Sequence, residues 1–520
     1  MNPKENSKPW IKTITPALHP PSLNDNTADV DRLIRGLKSR LDTDRIVTDV
    51  RTVKRLSSDL RAHDFRVRAV LFESDGLWHV MQVLPVHPET DLYGLAVDLG
   101  TSTVVMRLVN LTRLEAEAET SFHNPQIRIG PDILTRIHFA SQEGGLEKLQ
   151  SLLLTRLNEE VTRLCEKGRV KAPDIVGFSV AGNTTMTHLF LGLNPYWLCR
   201  EPYIPVINRP GMIRAGDLGL AVNPEAPVLV FPNVGSYFGG DLIAGILASE
   251  MIRNDEVSLL VDVGTNAEVV MGNRDWLMGC AGAAGPALEG GVARMGMMAG
   301  PGVIDQVKID SKNLEFKVRT IDQKPPVGVC GSGLIDLVAQ LFLAGMIDLR
   351  GKYVPEVCGE RLVDKDGIKH LIAVPPGATA TGRALTLSQP DIDALIRSKA
   401  AMFTILTTLA RTVNVNLNEI DRFYVAGTFG AYIDPRSAVT LGMIPDLPLE
   451  SFVSLGNTSL EGAAMALQSA KARDDIYHIR DRITYLELNV NQEFMNLFSA
   501  AKFIPHTDRS LFPSVPLPQG

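Results

Sequence analysis

The 520-residue sequence has few cysteines, and none of them stands close to another in the chain. The five are Cys165, Cys199, Cys280, Cys330 and Cys358. Ferredoxin-type iron–sulfur clusters take their thiolate ligands from closely spaced cysteines, and structural zinc sites use similar pairs. The sequence therefore contains no local motif for either kind of site. Scattered, unpaired cysteines are typical of proteins from a reducing compartment.

The sequence also lacks long apolar runs and an excess of charge of one sign. No apolar run reaches the ~20 residues of a membrane-spanning helix, and the first residues lack the apolar core of a signal peptide. Lys and Arg number 52 against 59 Asp and Glu, a net charge of -7, which argues against a nucleic-acid-binding protein. We therefore expect a cytoplasmic protein that binds neither membrane nor nucleic acid.

One motif, Asp-x-Gly-Thr between two apolar runs, occurs twice. The first copy is Asp98 to Thr101 and the second is Asp262 to Thr265. Apolar runs with β-branched residues on both sides of a glycine turn predict a strand, a tight turn and a returning strand. A single copy is equally consistent with an ordinary hairpin, whereas two copies favour a site for the phosphates of ATP.

The residue types in both turns suit a site for Mg-ATP. Glycine lets backbone N–H groups approach phosphate oxygens without a Cβ in the way. The two carboxylates cannot bind phosphate directly, because like charges repel, so they require a cation, and Mg²⁺ held through water suits carboxylate oxygens. The predicted Mg²⁺ and catalytic carboxylates are Asp98 and Asp262, and the predicted phosphate contacts are Gly100, Thr101, Ser102, Thr103, Gly264, Thr265 and Asn266.

Two further segments carry candidate site residues. Residues 423–434 predict a buried strand, a glycine-rich turn and a helix start, and we expect the turn, with Gly427, Thr428 and Gly430, to pack against adenosine. Asp241 follows two glycines at the start of a small-residue helix. It is a candidate catalytic base, and it is also well placed to act as a helix N-terminal carboxylate.

The sequence, 45% apolar and 21% charged, is long enough for two or three domains. We expect an extended, proline-rich arm over residues 1–24 and a small α/β module over 25–92, with a hairpin turn at Asp75-Gly76. ATPase lobe I should span 93–250, and lobe II 251–520 with a C-terminal return to lobe I. The helices at 239–247 and 461–468, rich in small residues, are predicted to cross at a hinge.

At these motifs the sequence resembles the actin, sugar kinase and Hsp70 superfamily, in which they would be the phosphate-1, phosphate-2 and adenosine motifs. Within it, the sequence is most similar to the reductive activators of corrinoid proteins, from about residue 25 to near the end. The stretches that carry this resemblance are 124–126, 130–137, 182–188, 239–241, 284–290, 330–336, 391–392 with 399–400, and 456–463. The resemblance implies an α/β fold: a duplicated, two-lobed actin/Hsp70-like ATPase preceded by a small α/β module.

The resemblance also implies a function. Such activators use ATP hydrolysis to reduce an inactive Co(II) corrinoid to Co(I) on a partner methyl-transfer protein, and they are typically homodimers. By the same resemblance, Gly285, Glu289, Gly331, Ser332 and Gly333 are expected to line the nucleotide cleft. The sequence departs from the family in lacking cluster cysteines. Either a separate ferredoxin-like donor supplies the electron, which is the expectation, or the cluster domain is encoded elsewhere, or the protein only remodels the corrinoid protein.

Three alternatives stay open at this point. A small-molecule kinase of the same superfamily would use Asp241 as its base. An activator could instead share a cluster across a dimer, with Cys280 and Cys330 as ligands from glycine-rich loops. The third alternative is a non-enzymatic, nucleotide-gated interaction protein.

Overall fold

The computed structural model describes residues 9–86, 91–264, 267–282, 293–310, 312–427, 433–488 and 492–516. The chain divides into two compact units. The first consists of Met1–Ala248 with Ser459–Asp481, and the second of Ser249–Thr458 with Arg482–Gly520. Among the residues described, no helix is both long and apolar enough to cross a lipid bilayer.

The N-terminal part of the first unit is a four-stranded sheet with the strand order β1-β3-β4-β2 and two helices. Its elements are β1 (Ile11–Ile14), α1 (Asp29–Leu41), β2 (Ile46–Thr48), α2 (Val50–Ala62), β3 (Val67–Ser74) and β4 (Leu77–Pro85). The predicted turn at Asp75-Gly76 joins β3 and β4, and both of its residues have positive φ. An apolar stripe on α1, including Leu33 and Leu37, is fully buried against the sheet.

Strand β1 falls within the predicted extended arm, but it is an edge strand that pairs antiparallel with β3. The preceding Trp10 is 1% exposed, and its Nε1 donates a hydrogen bond of 2.7 Å to the carbonyl of Ala466. Both contacts are made with residues distant in the sequence, which explains why the local, proline-rich composition predicted an arm.

The remainder of the first unit up to residue 248 is built on a six-stranded sheet with the order β7-β6-β5-β8-β10-β9. Its elements are β5 (Tyr93–Leu99), β6 (Thr103–Asn110), β7 (Glu115–His123), α3 (Ile133–Ala140), α4 (Gly145–Gly168), β8 (Ile175–Gly182), α5 (Thr184–Leu191), β9 (Ile213–Arg214), β10 (Pro227–Val230) and α6 (Gly240–Ser249). Leu149, Leu153 and Leu157 of α4 are fully buried in the core on this sheet. Strand β10 lies in the proline-rich segment 202–232 and pairs parallel with β8.

The second unit contains another six-stranded sheet, β21-β20-β11-β12-β13-β22, and two three-stranded sheets, β15-β14-β16 and β17-β18-β19. Up to residue 456 its elements are β11 (Ser258–Val263), β12 (Ala267–Gly272), β13 (Leu277–Gly282), β14 (Val303–Ile309), β15 (Phe316–Thr320), β16 (Gly328–Val329), α7 (Gly331–Leu343), α8 (Pro355–Cys358), β17 (Leu362–Lys365), β18 (Ile368–Val374), β19 (Leu385–Ser388), α9 (Gln389–Thr412), β20 (Arg422–Ala426), α10 (Pro435–Leu441) and β21 (Phe452–Gly456). The last elements of the chain are α11 (Thr458–Gln468), α12 (Ala470–Arg482), β22 (Ile483–Tyr485) and α13 (Gln492–Ala501).

Five strands of each six-stranded sheet share one topology. In each, the first three strands form an antiparallel meander, and the fourth strand adds parallel to the first. Beside the fourth strand, each sheet has one more parallel strand, β10 next to β8 and β21 next to β20. These five strands have the same order in both sheets, which is the duplication that the two Asp-x-Gly-Thr motifs predicted. The remaining strands differ, because β9 pairs antiparallel with β10, whereas β22 pairs parallel with β13.

Helix α6 is crossed by the returning helix α11 within the first unit, as the small residues predicted. A Cβ placed on Gly462 of α11 would lie 2.4 Å from the carbonyl oxygen of Ala244 in α6. Only a residue without a side chain allows the two backbones to come this close.

Candidate functional site

The first Asp-x-Gly-Thr motif forms the tight turn between β5 and β6. Asp98 is the penultimate residue of β5, half-buried and opposite Ala181 of β8. A Cβ on Gly100 would lie 2.2 Å from the carbonyl oxygen of Thr103, so this turn requires glycine. The prediction of a strand-turn-strand at the first motif is confirmed.

Three consecutive carbonyl groups of this turn are hydrogen-bonded to the protein. The carbonyl of Gly100 accepts from Nδ2 of Asn124 at 3.0 Å, and that of Ser102 accepts from the backbone N–H of Asn124 at 2.9 Å. The carbonyl of Thr101 accepts from Nη2 of Arg136 at 2.7 Å. In a planar trans peptide the C=O and the next N–H point in opposite directions. The N–H groups of Thr101, Ser102 and Thr103 therefore point away from these partners, as a phosphate-binding turn requires.

The side chain of Thr101 is held by the residue that begins α5. Asn183 donates from Nδ2 to Oγ1 of Thr101 at 2.9 Å. The Oδ1 atom of Asn183 accepts from the backbone N–H of Met186 at 2.9 Å, which makes Asn183 the N-cap of α5. One amide side chain thus fixes both a helix start and a hydroxyl of the proposed phosphate turn.

Asp241 lies in the first turn of α6, near the same end of the sheet. A Cβ on Gly239 would lie 2.3 Å from the Cα of Asn183 and 2.6 Å from Oδ1 of Asp241. Oδ1 of Asp241 accepts from the N–H of Leu242 at 2.9 Å. The structure therefore brings Asp98, the Gly100–Thr103 turn and Asp241 to the carboxyl ends of β5, β8 and β10, where open α/β sheets bind ligands.

In the second unit, the second and third motifs lie against each other. Gly427 follows β20 with φ +82°, and a Cβ there would lie 3.0 Å from Oδ1 of Asp262. Glycine is favoured at this position both by its φ and by the nearby carboxylate. Asp262 stands directly opposite Glu268 on β12, and both are half-buried. Carboxylate oxygens are the ligands that Mg²⁺ prefers, so the donor set fits a Mg²⁺ held through water.

Gly331, Ser332 and Gly333 form the buried start of α7. A Cβ on Gly333 would lie 2.3 Å from the carbonyl oxygen of Ile304, and Oγ of Ser332 lies 3.1 Å from Sγ of Cys330. These contacts explain the small residues by packing, and their expected role at the nucleotide stays a prediction. Six predicted contacts lie outside the described residues: Thr265, Asn266, Gly285, Glu289, Thr428 and Gly430.

The cysteine geometry argues against a cluster ligated by Cys280 and Cys330 across a dimer. The sequence suggested that both lie in glycine-rich loops, but Cys280 is inside strand β13 and 0% exposed. Burial raises the pKa of its thiol to about 12. Cys330 is also buried, with its Sγ 3.3 Å from the carbonyl oxygen of Ile304. Nowhere in the portion that the structure describes do three or more His, Cys, Asp or Glu side chains come together to hold a metal.

The sequence did not identify the residues that hold the first turn. Asn124, Arg136 and Asn183 all lie in stretches that carried the family resemblance, but none had been given a role. Hydrogen bonds across 24 to 82 residues connect them to the turn. These residues stand in stretches that contain other polar residues, such as Gln126 and Thr184, so no local pattern singled them out.

Three models of protein regions from one family together match most of the chain. A model described as the C-terminal domain of RACo, the ASKHA domain, matches residues 256–516. The RACo middle region matches residues 93–254, and the RACo linker region matches residues 6–90. The chain belongs to the RACo family. The recognition of a reductive activator, and with it the predicted ASKHA-type α/β fold, is confirmed.

Individual relatives agree with RACo membership. The chain is 31% identical over 421 residues to the corrinoid activation enzyme RamQ of Eubacterium limosum, covering 79% of this chain and 70% of RamQ. It is 23% identical over 440 residues to the [Co(II) methylated amine-specific corrinoid protein] reductase of Methanosarcina barkeri, covering 78% of this chain and 76% of the reductase. A solved reductive activator for corrinoid, iron-sulfur protein superposes with a TM-score of 0.88 at 37% identity, covering 98% of this chain and 82% of that one.

Proposed function

We propose that this RACo-family protein uses ATP to activate a corrinoid protein of a methyltransferase system, reducing its inactive Co(II) corrinoid to Co(I). The observation that carries the proposal is the likeness along the whole chain to the solved reductive activator. The two sequence relatives, which are named for corrinoid activation and for Co(II) corrinoid protein reduction, support the same reaction.

Mg-ATP is the proposed cofactor, and hydrolysis of its γ-phosphate supplies the free energy for an unfavourable electron transfer. The turn of Gly100 to Thr103 would hold phosphate through its N–H groups, because its carbonyls are bound elsewhere. Asp98 and Asp262 are proposed to bind Mg²⁺ through water, and Gly427 to leave room for the nucleotide. Asp241 is proposed to orient the attacking water as a base.

The electron is proposed to come from a separate ferredoxin-like protein. Each Co(II) centre takes up one electron, and the donor is oxidised by one electron in the same step. Cys280, Cys330 and Cys358 are buried, and burial raises the thiol pKa of Cys280 and Cys358 to about 12 and about 11. Such thiols do not readily supply the thiolates that a cluster needs. A homodimer is the proposed assembly.

The test is an anaerobic assay that follows ATP hydrolysis and the visible absorbance of the corrinoid. The partners to try are a corrinoid iron–sulfur protein and a methylamine-specific corrinoid protein, each with and without a reduced ferredoxin. We expect ATP-dependent loss of Co(II) only when the donor is present. Failure of both corrinoid proteins to stimulate ATP hydrolysis or to lose Co(II) would contradict the proposal.

The variants Asp98→Asn and Asp262→Asn should each abolish ATP-dependent reduction. Asp255→Asn is a matched control in the second unit, because the Asp255 side chain is 70% exposed and pairs with Arg274 at 2.6 Å. Equal activity of Asp262→Asn and Asp255→Asn would exclude the proposed Mg²⁺ role of Asp262.

A small-molecule kinase is the second candidate. It is favoured by the position of Asp241 beside Asn183 and the first turn, where a base could meet a substrate hydroxyl. Transfer of labelled phosphate from ATP to a metabolite, lost in Asp241→Asn, would favour the kinase over the activator.

A further inference from the structure

Arg136 is a fully buried cation directly behind the first turn. Its side chain is 0% exposed. Its Nε donates to the carbonyl of Gly130 at 2.9 Å, and Nη2 donates to the carbonyl of Thr101 at 2.7 Å. Nη1 lies 3.3 Å from Oε1 of Gln126 and 3.2 Å from Sδ of Met186. All of these partners are neutral.

A buried charge with neutral partners alone is unusual and costly. By contrast, the buried arginines Arg32 and Arg473 form ion pairs with Asp25 and Glu73, respectively. Among the described residues no ion pair is recorded for Arg136. The acid that acts on it most is Asp132, which is exposed and already accepts hydrogen bonds of 2.8 Å from the N–H and the hydroxyl of Thr135.

Arg136 stays protonated in spite of its burial. Burial lowers its pKa to about 10, which leaves the guanidinium charged at neutral pH. The folded protein therefore carries a positive charge inside the first unit that its recorded neighbours do not neutralise.

The position of this charge indicates what does neutralise it. Nη2 binds the oxygen of the Thr101–Ser102 peptide group, and the N–H of the same group points the opposite way. A hydrogen bond from a cation to the oxygen polarises the peptide and strengthens its N–H as a donor. An anion bound at this N–H would be separated from Arg136 by a single peptide group.

We propose that Arg136 is a positioning residue for the phosphates of the nucleotide, acting through the Thr101–Ser102 peptide group, and that the bound phosphates are its counter-charge. This inference rests on the proposed binding of ATP and adds a residue that positions its phosphates. Arg136 would then raise the affinity for nucleotides relative to nucleosides, although its side chain acts through the peptide group and does not itself contact the ligand. It also couples phosphate binding to the segment 124–140, which Arg136 holds together through Gly130 and Gln126.

The experiment compares the binding of ADP and of adenosine by calorimetry. Arg136→Met removes the charge and keeps an unbranched chain, Arg136→Gln keeps a shorter neutral donor, and Arg136→Lys keeps the charge. Arg128→Met is the matched control, because Arg128 is an exposed arginine on the neighbouring turn. We expect Arg136→Met and Arg136→Gln to weaken ADP binding at least about tenfold, which corresponds to about 1.4 kcal/mol, with adenosine affinity almost unchanged.

Arg136→Lys should restore most of the ADP affinity, and Arg128→Met should bind like the wild type. Equal losses for ADP and adenosine would show a merely structural role and overturn the proposal, as would wild-type ADP affinity in Arg136→Gln. Should Arg136→Met not fold, the comparison of Arg136→Lys with Arg136→Gln decides the outcome. A wild-type protein that binds no ADP would instead refute the proposed function, and this inference with it.

Discussion

The variant Asn183→Asp tests the first turn with a change of a single group. Asn183 uses its Oδ1 to cap α5 and its Nδ2 to bind Oγ1 of Thr101 at 2.9 Å. Aspartate is as good an N-cap as asparagine, so the helix start should be kept. The substitution replaces a donor facing Thr101 with a negative charge close to the proposed phosphate site.

The expected loss of affinity follows from Coulomb's law. With the phosphate bound to the turn, the new carboxylate would lie about 7 Å from it, since two hydrogen bonds and the Thr101 residue separate them. One pair of unit charges at about 7 Å and an effective dielectric constant near 20 repel by about 2 kcal/mol. This corresponds to about a 30-fold weaker binding of ADP.

Titration calorimetry with ADP at low and high salt measures this effect. Asn183→Ser is the matched control, because it keeps a capping oxygen but loses the Nδ2 donor to Thr101 without adding charge. It should weaken the free energy of ADP binding by about 1 kcal/mol or less. The difference in ADP affinity between Asn183→Asp and Asn183→Ser should become smaller at high salt, because salt screens the repulsion between the carboxylate and the phosphate. Equal affinities for Asn183→Asp and Asn183→Ser at low salt would refute the placement of phosphate at this turn.

Three further predictions concern the fold around the site. Gly462→Ala should lower the free energy of unfolding by about 2 kcal/mol in urea, because its Cβ would overlap the backbone of Ala244. Cys280 should resist alkylation at pH 8 until the protein is unfolded, since burial raises the pKa of its thiol to about 12. His188 is fully buried and accepts from the N–H of Val206 at Nε2, and burial lowers its pKa below 6.5. The unfolded state therefore takes up the proton first, so stability should fall as the pH drops below about 6.5, by up to about 1.4 kcal/mol per pH unit.

Each of these three predictions has a control or an outcome that would contradict it. Gly211→Ala adds a Cβ where nothing lies within 4 Å, and an equal effect of both glycine variants would remove the close-crossing argument. Rapid labelling of Cys280 in the native protein, identified by peptide mapping, would contradict its burial. His188→Gln should flatten the acid limb of stability, and an unchanged pH profile in that variant would assign the limb to other groups.

Much of the fold could be predicted from local patterns. Both Asp-x-Gly-Thr hairpins and the hairpin at Asp75-Gly76 were predicted, because period-two patterns and glycine turns act over short distances. Strand β10 and the edge strand β1 were missed. Their pairing partners, β8 and β3, lie far along the chain, and proline-rich or irregular composition gives no local signal of such pairing.

The features of the candidate site likewise fall into those that local sequence patterns predict and those that only the folded structure shows. The sequence by itself determined the glycine turn at Gly100 and suggested Asp98 and Asp262 as metal ligands, because a tight turn requires glycine and Mg²⁺ prefers carboxylate oxygens. Only the tertiary structure decided that Arg136 and Asn183 hold this turn and that Gly427 abuts Asp262. Burial and orientation turn an ordinary polar residue into a positioning group, and both properties arise only when distant strands and helices pack together.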